Sequence, residues 1–260
     1  MKTRESALRV ILLYPDLLGT YGDGGNAVIL AQRLRWRGQP ADVVTIRSAD
    51  PVPDGGDLYV VGGGEDLPQA LAARQLGRRG PLQRAVDAGA AVFAVCAGLQ
   101  ILGTTFVGPD GVETEGLGLV DARTTRGTGP RAVGELVVEP GPASGLPTLS
   151  GYENHGGVTE LGPGVGPLGR VQIGVGNGTD STDGFRTGRV VGTYLHGPAL
   201  ARNPALADLL LASVVGELDP LDDRESDVLR TERLAVAAEE RRAPGRPGRR
   251  RRPWRVGSRR

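Results

Sequence analysis

Residues 91–103, Ala-Val-Phe-Ala-Val-Cys96-Ala-Gly98-Leu-Gln100-Ile-Leu-Gly103, place the single cysteine of the chain where an apolar, β-branched run gives way to a helical pattern. A strand that turns sharply into a helix through small residues (Ala94, Ala97, Gly98) projects the side chain between them outward, and the helix N-terminus offers N–H groups to an anion. A thiolate suits both conditions, because helix N-termini and a nearby imidazolium lower a cysteine pKa. The same string also suits an inert cysteine packed under a strand end, since free Cys is among the most buried residue types. The segment alone leaves both readings open.

The first hundred residues repeat this strand-then-helix alternation, the pattern of a parallel sheet covered by helices. Strands are predicted at Leu8–Tyr14, Ala41–Ile46, Leu58–Val61 and Ala91–Val95. Helices are predicted from an Asn26 cap to Arg37, from Asp66-Leu-Pro68 to Leu76, and from Pro81 to Ala88. Beyond Gly103 the periodicity becomes two, as in Ala132–Glu139 and Val171–Val175, so a β-rich second half is expected to close onto the first. A hairpin with Asp183-Gly184 near its tip leads into Arg189–Leu195, Asn203-Pro204 opens a helix to about Gly216, and Glu225–Arg242 reads as an exposed terminal helix.

With 260 residues, 42 Gly, 19 Pro and 4% aromatic content, the chain reads as a loop-rich α/β protein with a sizeable core. The expected organisation is an extension over 1–7, one domain over 8–217, a linker and helix over 218–242, and a disordered Arg-rich tail over 243–260. Residues 240–260 hold ten arginines and one glutamate, so the rest of a chain of net charge +1 is acidic. A Pro/Gly/Arg segment of this kind buries no core and is read as a solvated tail, with no nucleic-acid partner expected. The apolar stretch after Met1–Glu5 is too short and too acid-flanked for a signal peptide, and no run approaches the ~18 apolar residues of a membrane helix. A cytoplasmic protein without membrane insertion is expected.

One Cys and two His exclude a disulfide framework within the chain and a zinc site built from soft ligands, so no metal is expected. A cysteine nucleophile needs a base, and only His155 and His196 are available. His196 follows a strand, in Gly192-Thr-Tyr-Leu-His196-Gly-Pro198, at the sheet end where open α/β folds place their sites. His155 lies in the Gly-rich string Tyr152-Glu-Asn154-His155-Gly-Gly157. A third element, Val60-Val-Gly62-Gly-Gly64-Glu-Asp66, ends a strand in three glycines whose N–H groups could meet a developing oxyanion.

A Gly-rich strand end, an elbow reading small-x-Cys-x-Gly-x-Gln and a His-Gly-Pro after a late strand together resemble a class I glutamine amidotransferase domain of the cobyric-acid-synthase-like branch. Within that branch the likeness is greatest to the GatD-type glutaminase subunits of lipid II isoglutaminyl synthases. It spans residues 8 to 215 and includes Tyr21-Gly-Asp-Gly-Gly-Asn26, Gly62–Gly64 with Asp66 and Gln69, Cys96–Gln100, Glu115–Gly118, Glu153–Gly157 and Gly192–Pro198. The resemblance implies a flavodoxin-like fold, a mostly parallel central sheet flanked by helices. It implies Cys96 as nucleophile on the carboxamide of L-glutamine and His196 as its acid and base. Backbone N–H groups of Ala97 and Gly64 would meet the oxyanion, and Arg131 would clamp the α-carboxylate. Gln100, Asn154 and His155 are further pocket candidates.

The implied partner is a Mur-ligase-like subunit, MurT, receiving ammonia to amidate the D-glutamate of a lipid-linked stem peptide. Lys2 is the only lysine, so there is no phosphate-binding G-x-x-x-x-G-K loop, and ATP and Mg²⁺ are expected on the partner. The other readings are the glutaminase part of a corrinoid amidase and a thiol-sensing, non-catalytic relative of the fold. Where many relatives place a carboxylate two residues after the histidine, this chain has Pro198. A bound partner is therefore expected to supply the third catalytic acid, with glutaminase activity rising on association.

Overall fold

Strands without a polar face need cover on both sides, and here the sequence supplies them in pairs with helices. In the computed structural model, which describes residues 6–108, 110–178 and 180–242, the first half runs β1 (Leu8–Leu13), α1 (Gly25–Trp36), β2 (Ala41–Ile46), β3 (Leu58–Val61), α2 (Asp66–Leu76), α3 (Pro81–Asp87), β4 (Ala91–Val95) and α4 (Ala97–Leu102). Every residue of β3 and β4 is buried, as expected of central parallel strands. The second half adds β5 (Thr105–Val107), β6 (Glu113–Glu115), β7 (Ala122–Arg126), β8 (Ala132–Pro140), β9 (Leu149–His155), β10 (Gly157–Leu161), β11 (Gly169–Ile173), β12 (Thr182–Asp183), β13 (Phe185–Thr187) and β14 (Val190–Thr193). It ends in α5 (Ala199–Arg202), α6 (Pro204–Val215) and α7 (Arg224–Arg242).

The central sheet has the order β13-β14-β4-β3-β1-β2, all parallel except the β13 edge. Strand β2 lies on one side of β1 and β3 on the other, so the chain reverses direction across the sheet between β1 and β3. That switch point is where doubly wound sheets open a crevice at their carboxyl ends. The β-rich half forms two further four-stranded sheets, β10-β7-β5-β6 and β12-β11-β8-β9. Strand β9 is joined to the central sheet through paired backbone hydrogen bonds between Tyr152 and His196, of 3.2 and 2.8 Å.

Two local expectations are corrected. Asn26 does not cap α1, because its side chain is buried and accepts the N–H of Leu200 at 2.9 Å, tying the helix start to the segment after His196. Asp183-Gly184 is not the hairpin tip, since the turn comes at Gly188, whose φ is +55°. Asp183 instead faces inward, accepting from Thr193 Oγ1 at 2.6 Å and Tyr194 N at 3.1 Å, and burial pushes its carboxyl up to about 6 despite those bonds. Residues 1–5 of the predicted extension over 1–7 and all of the tail over 243–260 lie outside the described residues.

Helix α1 is fastened to the C-terminal helices by Arg33, whose side chain is 2% exposed and forked onto Asp208 and Asp223 with four hydrogen bonds of 2.7–2.8 Å. Arg37 adds a bond of 2.7 Å to Asp208. Replacing Arg33 by Leu strands Asp223, which keeps only about a quarter of its exposure, and leaves Asp208 to Arg37 alone. The expected cost is about 3 kcal/mol, the low end for breaking a buried pair, read as a fall in Tm of about 10 °C by calorimetry.

Candidate active site

Four strand ends converge at the carboxyl edge of the central sheet. Cys96 follows β4 and precedes α4, with φ +50° and ψ −107°, a strained conformation for a residue with a side chain. The neighbours explain how it is held. The Cys96 N–H donates to Thr193 O at 2.9 Å, and a Cβ at Gly98 would stand 2.5 Å from Val61 O, so only glycine lets α4 seat against β3. Ala97 heads α4, which leaves its N–H without a helical acceptor.

His196 comes after β14 and is 1% exposed. Its Nδ1 lies 3.0 Å from Asp23 Oδ2, and Asp23, wholly buried in the loop between β1 and α1, also accepts the Gly63 N–H at 2.8 Å. The imidazole Nε2 is buried without a well-formed hydrogen bond, and the thiol of Cys96 is its polar neighbour. Burial alone would lower the His196 pKa. The hydrogen bond to Asp23, with the Asp23 carboxylate and the Cys96 sulfur close by, outweighs it and raises the value from 6.5 to about 9.

The third acid therefore belongs to this chain, which overturns the expectation that a partner must provide it. Pro198 carries no acid, yet it helps place one: a Cβ at Gly25 would fall 2.4 Å from Pro198 Cγ, so the start of α1 packs directly on the proline. The sequence holds Asp23 in its Tyr21–Asn26 string, and the available signal was its place between a strand end and a helix start. The triple glycine is equally specific in its packing. A Cβ at Gly63 would come 2.6 Å from His196 Cε1 and 3.0 Å from Asp23 Oδ2, and one at Gly64 would come 2.6 Å from Leu17 O.

Arg131, which is exposed, donates from Nε to Asn154 Oδ1 at 2.5 Å and from Nη2 to Asn154 O at 3.0 Å. Asn154 Nδ2 donates to Tyr21 Oη at 2.9 Å, and the Tyr21 ring lies 4.6 Å from the His196 ring. Arg131 and Asn154 are thus linked to the cysteine–histidine pair. Gln100 sits beneath it, donating to Tyr194 Oη at 3.1 Å and accepting from Gln69 Nε2 at 2.8 Å. His155 stands apart from the other candidates. Both its ring nitrogens are engaged, with Gly157 O at 3.1 Å and Glu153 Oε2 at 3.3 Å, and it stacks on Tyr194 at 3.8 Å. Among the described residues, no group of three or more His, Cys, Asp and Glu side chains could hold a metal ion.

A Cys-His-Asp set at the carboxyl end of a parallel sheet belongs to the chemistry of amide hydrolysis, and residues 9–204 match the CobB/CobQ-like glutamine amidotransferase domain: the chain is a member of that family. Within it, the chain is 39% identical over 199 residues to "Lipid II isoglutaminyl synthase (glutamine-hydrolyzing) subunit GatD" of Staphylococcus aureus (strain N315), covering 75% of this chain and 79% of that protein. The subunit of the same name from Streptococcus pneumoniae (strain ATCC BAA-255 / R6) is 32% identical over 211 residues, 80% of each. A crystal structure of a glutamine amidotransferase superposes with a TM-score of 0.53 over 79% of this chain and 98% of its own, at 24% identity, a likeness of fold.

The raised His196 pKa has a consequence for stability. A histidine whose folded pKa exceeds its unfolded value stabilises fully below about pH 6.5 and loses that contribution as pH rises through about 9. In Asp23→Asn the loss is expected at lower pH, so the wild-type decline in Tm between pH 6.5 and 9 should shrink in a calorimetric series. An unchanged profile would mean that Asp23 does not hold the imidazolium.

Proposed function

We propose that this chain is the glutaminase subunit of a lipid II isoglutaminyl synthase, hydrolysing L-glutamine and passing ammonia to an ATP-dependent partner. The observation that carries the reading is the buried Asp23–His196 pair beside the Cys96 elbow, in a chain resembling GatD subunits over four-fifths of their length. The Cys96 sulfur attacks the carboxamide carbon of glutamine, forming a C–S bond while the carbonyl becomes an oxyanion. The N–H of Ala97 at the head of α4 and that of Gly64 in the adjoining loop meet this charge. The His196 imidazolium then gives its proton to the departing nitrogen, and the C–N bond breaks to release ammonia and leave a glutamyl thioester. Water attacks the thioester and gives its proton to His196, and C–S cleavage returns the thiolate and glutamate. Asp23 keeps Nδ1 protonated and Nε2 turned to the sulfur throughout.

The partner in this reading is the Mur-ligase-like MurT subunit, which holds ATP and Mg²⁺ and activates the stem-peptide D-glutamate. This chain contributes no nucleotide cofactor: its single lysine, Lys2, builds no phosphate loop. No helix among the described residues is long and apolar enough to cross a membrane. The reading places the protein in the cytoplasm, where it meets a lipid-linked acceptor without inserting.

Cys96→Ala is expected to fold normally and release no ammonia from glutamine, while added ammonium restores amidation by the assembled complex. Because the acid lies within the chain, the isolated wild-type protein should itself produce ammonia from glutamine in a coupled glutamate assay. Full activity of Cys96→Ala would end the glutaminase reading. Arg131→Ala should lower kcat/KM for glutamine by about 1.5–3 kcal/mol, the value of a charge-assisted hydrogen bond. Arg131→Lys should recover only part, for lack of a planar fork, and steady-state kinetics equal to wild type would remove Arg131 from the substrate site.

A further inference from the structure

Asn154 touches the two ends of the site in opposite senses. Its Oδ1 and backbone carbonyl accept from Arg131 Nε and Nη2, at 2.5 and 3.0 Å, and its Nδ2 donates to Tyr21 Oη at 2.9 Å. The bonds to Asn154 occupy the Nε side of the guanidinium. The Nη1–Nη2 edge, one of the two that can grip a carboxylate bidentately, stays available. Asn154 thus fixes which edge of Arg131 is offered to a ligand.

At the other end, the Tyr21 ring lies against the His196 imidazole, with centroids 4.6 Å apart and planes tilted by 56°. Tyr21 and Asp23 share one loop, so the imidazole is contacted by the ring of the first and bonded at Nδ1 by the second. The two ends are also joined through the backbone. Asn154 lies on β9, two residues from Tyr152, whose backbone pairs with that of His196.

We propose that Tyr21 and Asn154 are positioning residues that strap the carboxylate-reading guanidinium of Arg131 to the imidazole of His196, so that a filled carboxylate site orients the base. This rests on the glutaminase reading. The α-carboxylate of glutamine then contributes to the rate of chemistry as well as to binding, because Arg131, Asn154 and Tyr21 are joined by hydrogen bonds and the Tyr21 ring rests against the ring that moves the proton.

The test is a cycle between protein and substrate. Ammonia release is measured from L-glutamine and from L-glutaminamide, whose α-carboxamide cannot take the charged fork, using wild type, Tyr21→Phe and Asn154→Ser of matched Tm. Tyr21→Phe keeps the ring and removes its anchor. It is expected to lower kcat for glutamine about tenfold with KM changed less than twofold, and to leave the already slow turnover of glutaminamide unchanged. Asn154→Ser, which frees both ends, should lower kcat and also raise KM for glutamine. The proposal is overturned if Tyr21→Phe matches wild type on glutamine, or slows both substrates by the same factor, as a purely structural role would. Wild-type protein no more active on glutamine than Cys96→Ala would overturn the glutaminase reading itself, and the strap with it.

Discussion

The hydrogen bond between Asp23 and His196 joins residues 173 positions apart in a place with almost no access to water. An unpaired carboxylate or imidazolium there would carry a large desolvation cost, so each group makes the other tolerable. Much of the surrounding architecture follows from bringing them together. The chain must reverse between β1 and β3 so that the β1 loop reaches inward, α1 must start against Pro198, and the loop after β3 must lack side chains where Gly63 presses on both partners. The Gly63 N–H completes the arrangement by donating to the same carboxylate oxygen that faces the ring.

Beneath the elbow lies a second buried polar layer with a supporting role. Gln69, Gln100, Tyr194, Thr159 and Thr124 form one hydrogen-bonded chain from α2 through α4 to the β10-β7 pair. His155 closes it by stacking on Tyr194, while its partner Glu153 accepts the N–H groups of Val175 and Gly176 at 2.8 and 2.9 Å. Polar networks in low dielectric rigidify a structure when every member is satisfied. This one fastens α4, and so the strained Cys96, to the small sheets of the second half. The histidine that does not face the thiol thus helps keep the elbow in place.

The α/β half was legible because its signals are local. β3 and β4 lie on apolar runs of four and five residues, and β2 on a shorter β-branched core flanked by helix patterns. α2 covers the whole of its predicted span because Asp66-Leu-Pro68 and Gly77 mark its two ends within the sequence. The later strands were less legible: β6 and β12 are two or three residues long, too short to show a period, and each exists by pairing with the strand before it. Asn26 misled for a related reason. A polar residue before a helix reads as a cap, but here a backbone N–H at Leu200, far along the chain, competes for the side chain and wins.

By itself the sequence determined a lone cysteine between a strand and a helix, a histidine after a late strand, three consecutive glycines and the absence of a lysine for a phosphate loop. These are matters of residue type and spacing, which short-range stereochemistry reads directly. The place of His196 after a late strand, with the family resemblance, also singled it out over His155; only the tertiary structure decided which carboxylate faces that histidine. Asp23 is one of many acids in the sequence, and nothing adjacent to it distinguishes a catalytic carboxylate from a solvated one. Its role comes from strand order: β1 lies beside β3 and two places from β4, so the loop after β1 opens onto the cysteine. That order depends on pairing between segments far apart in the chain, a long-range choice that local spacing does not encode.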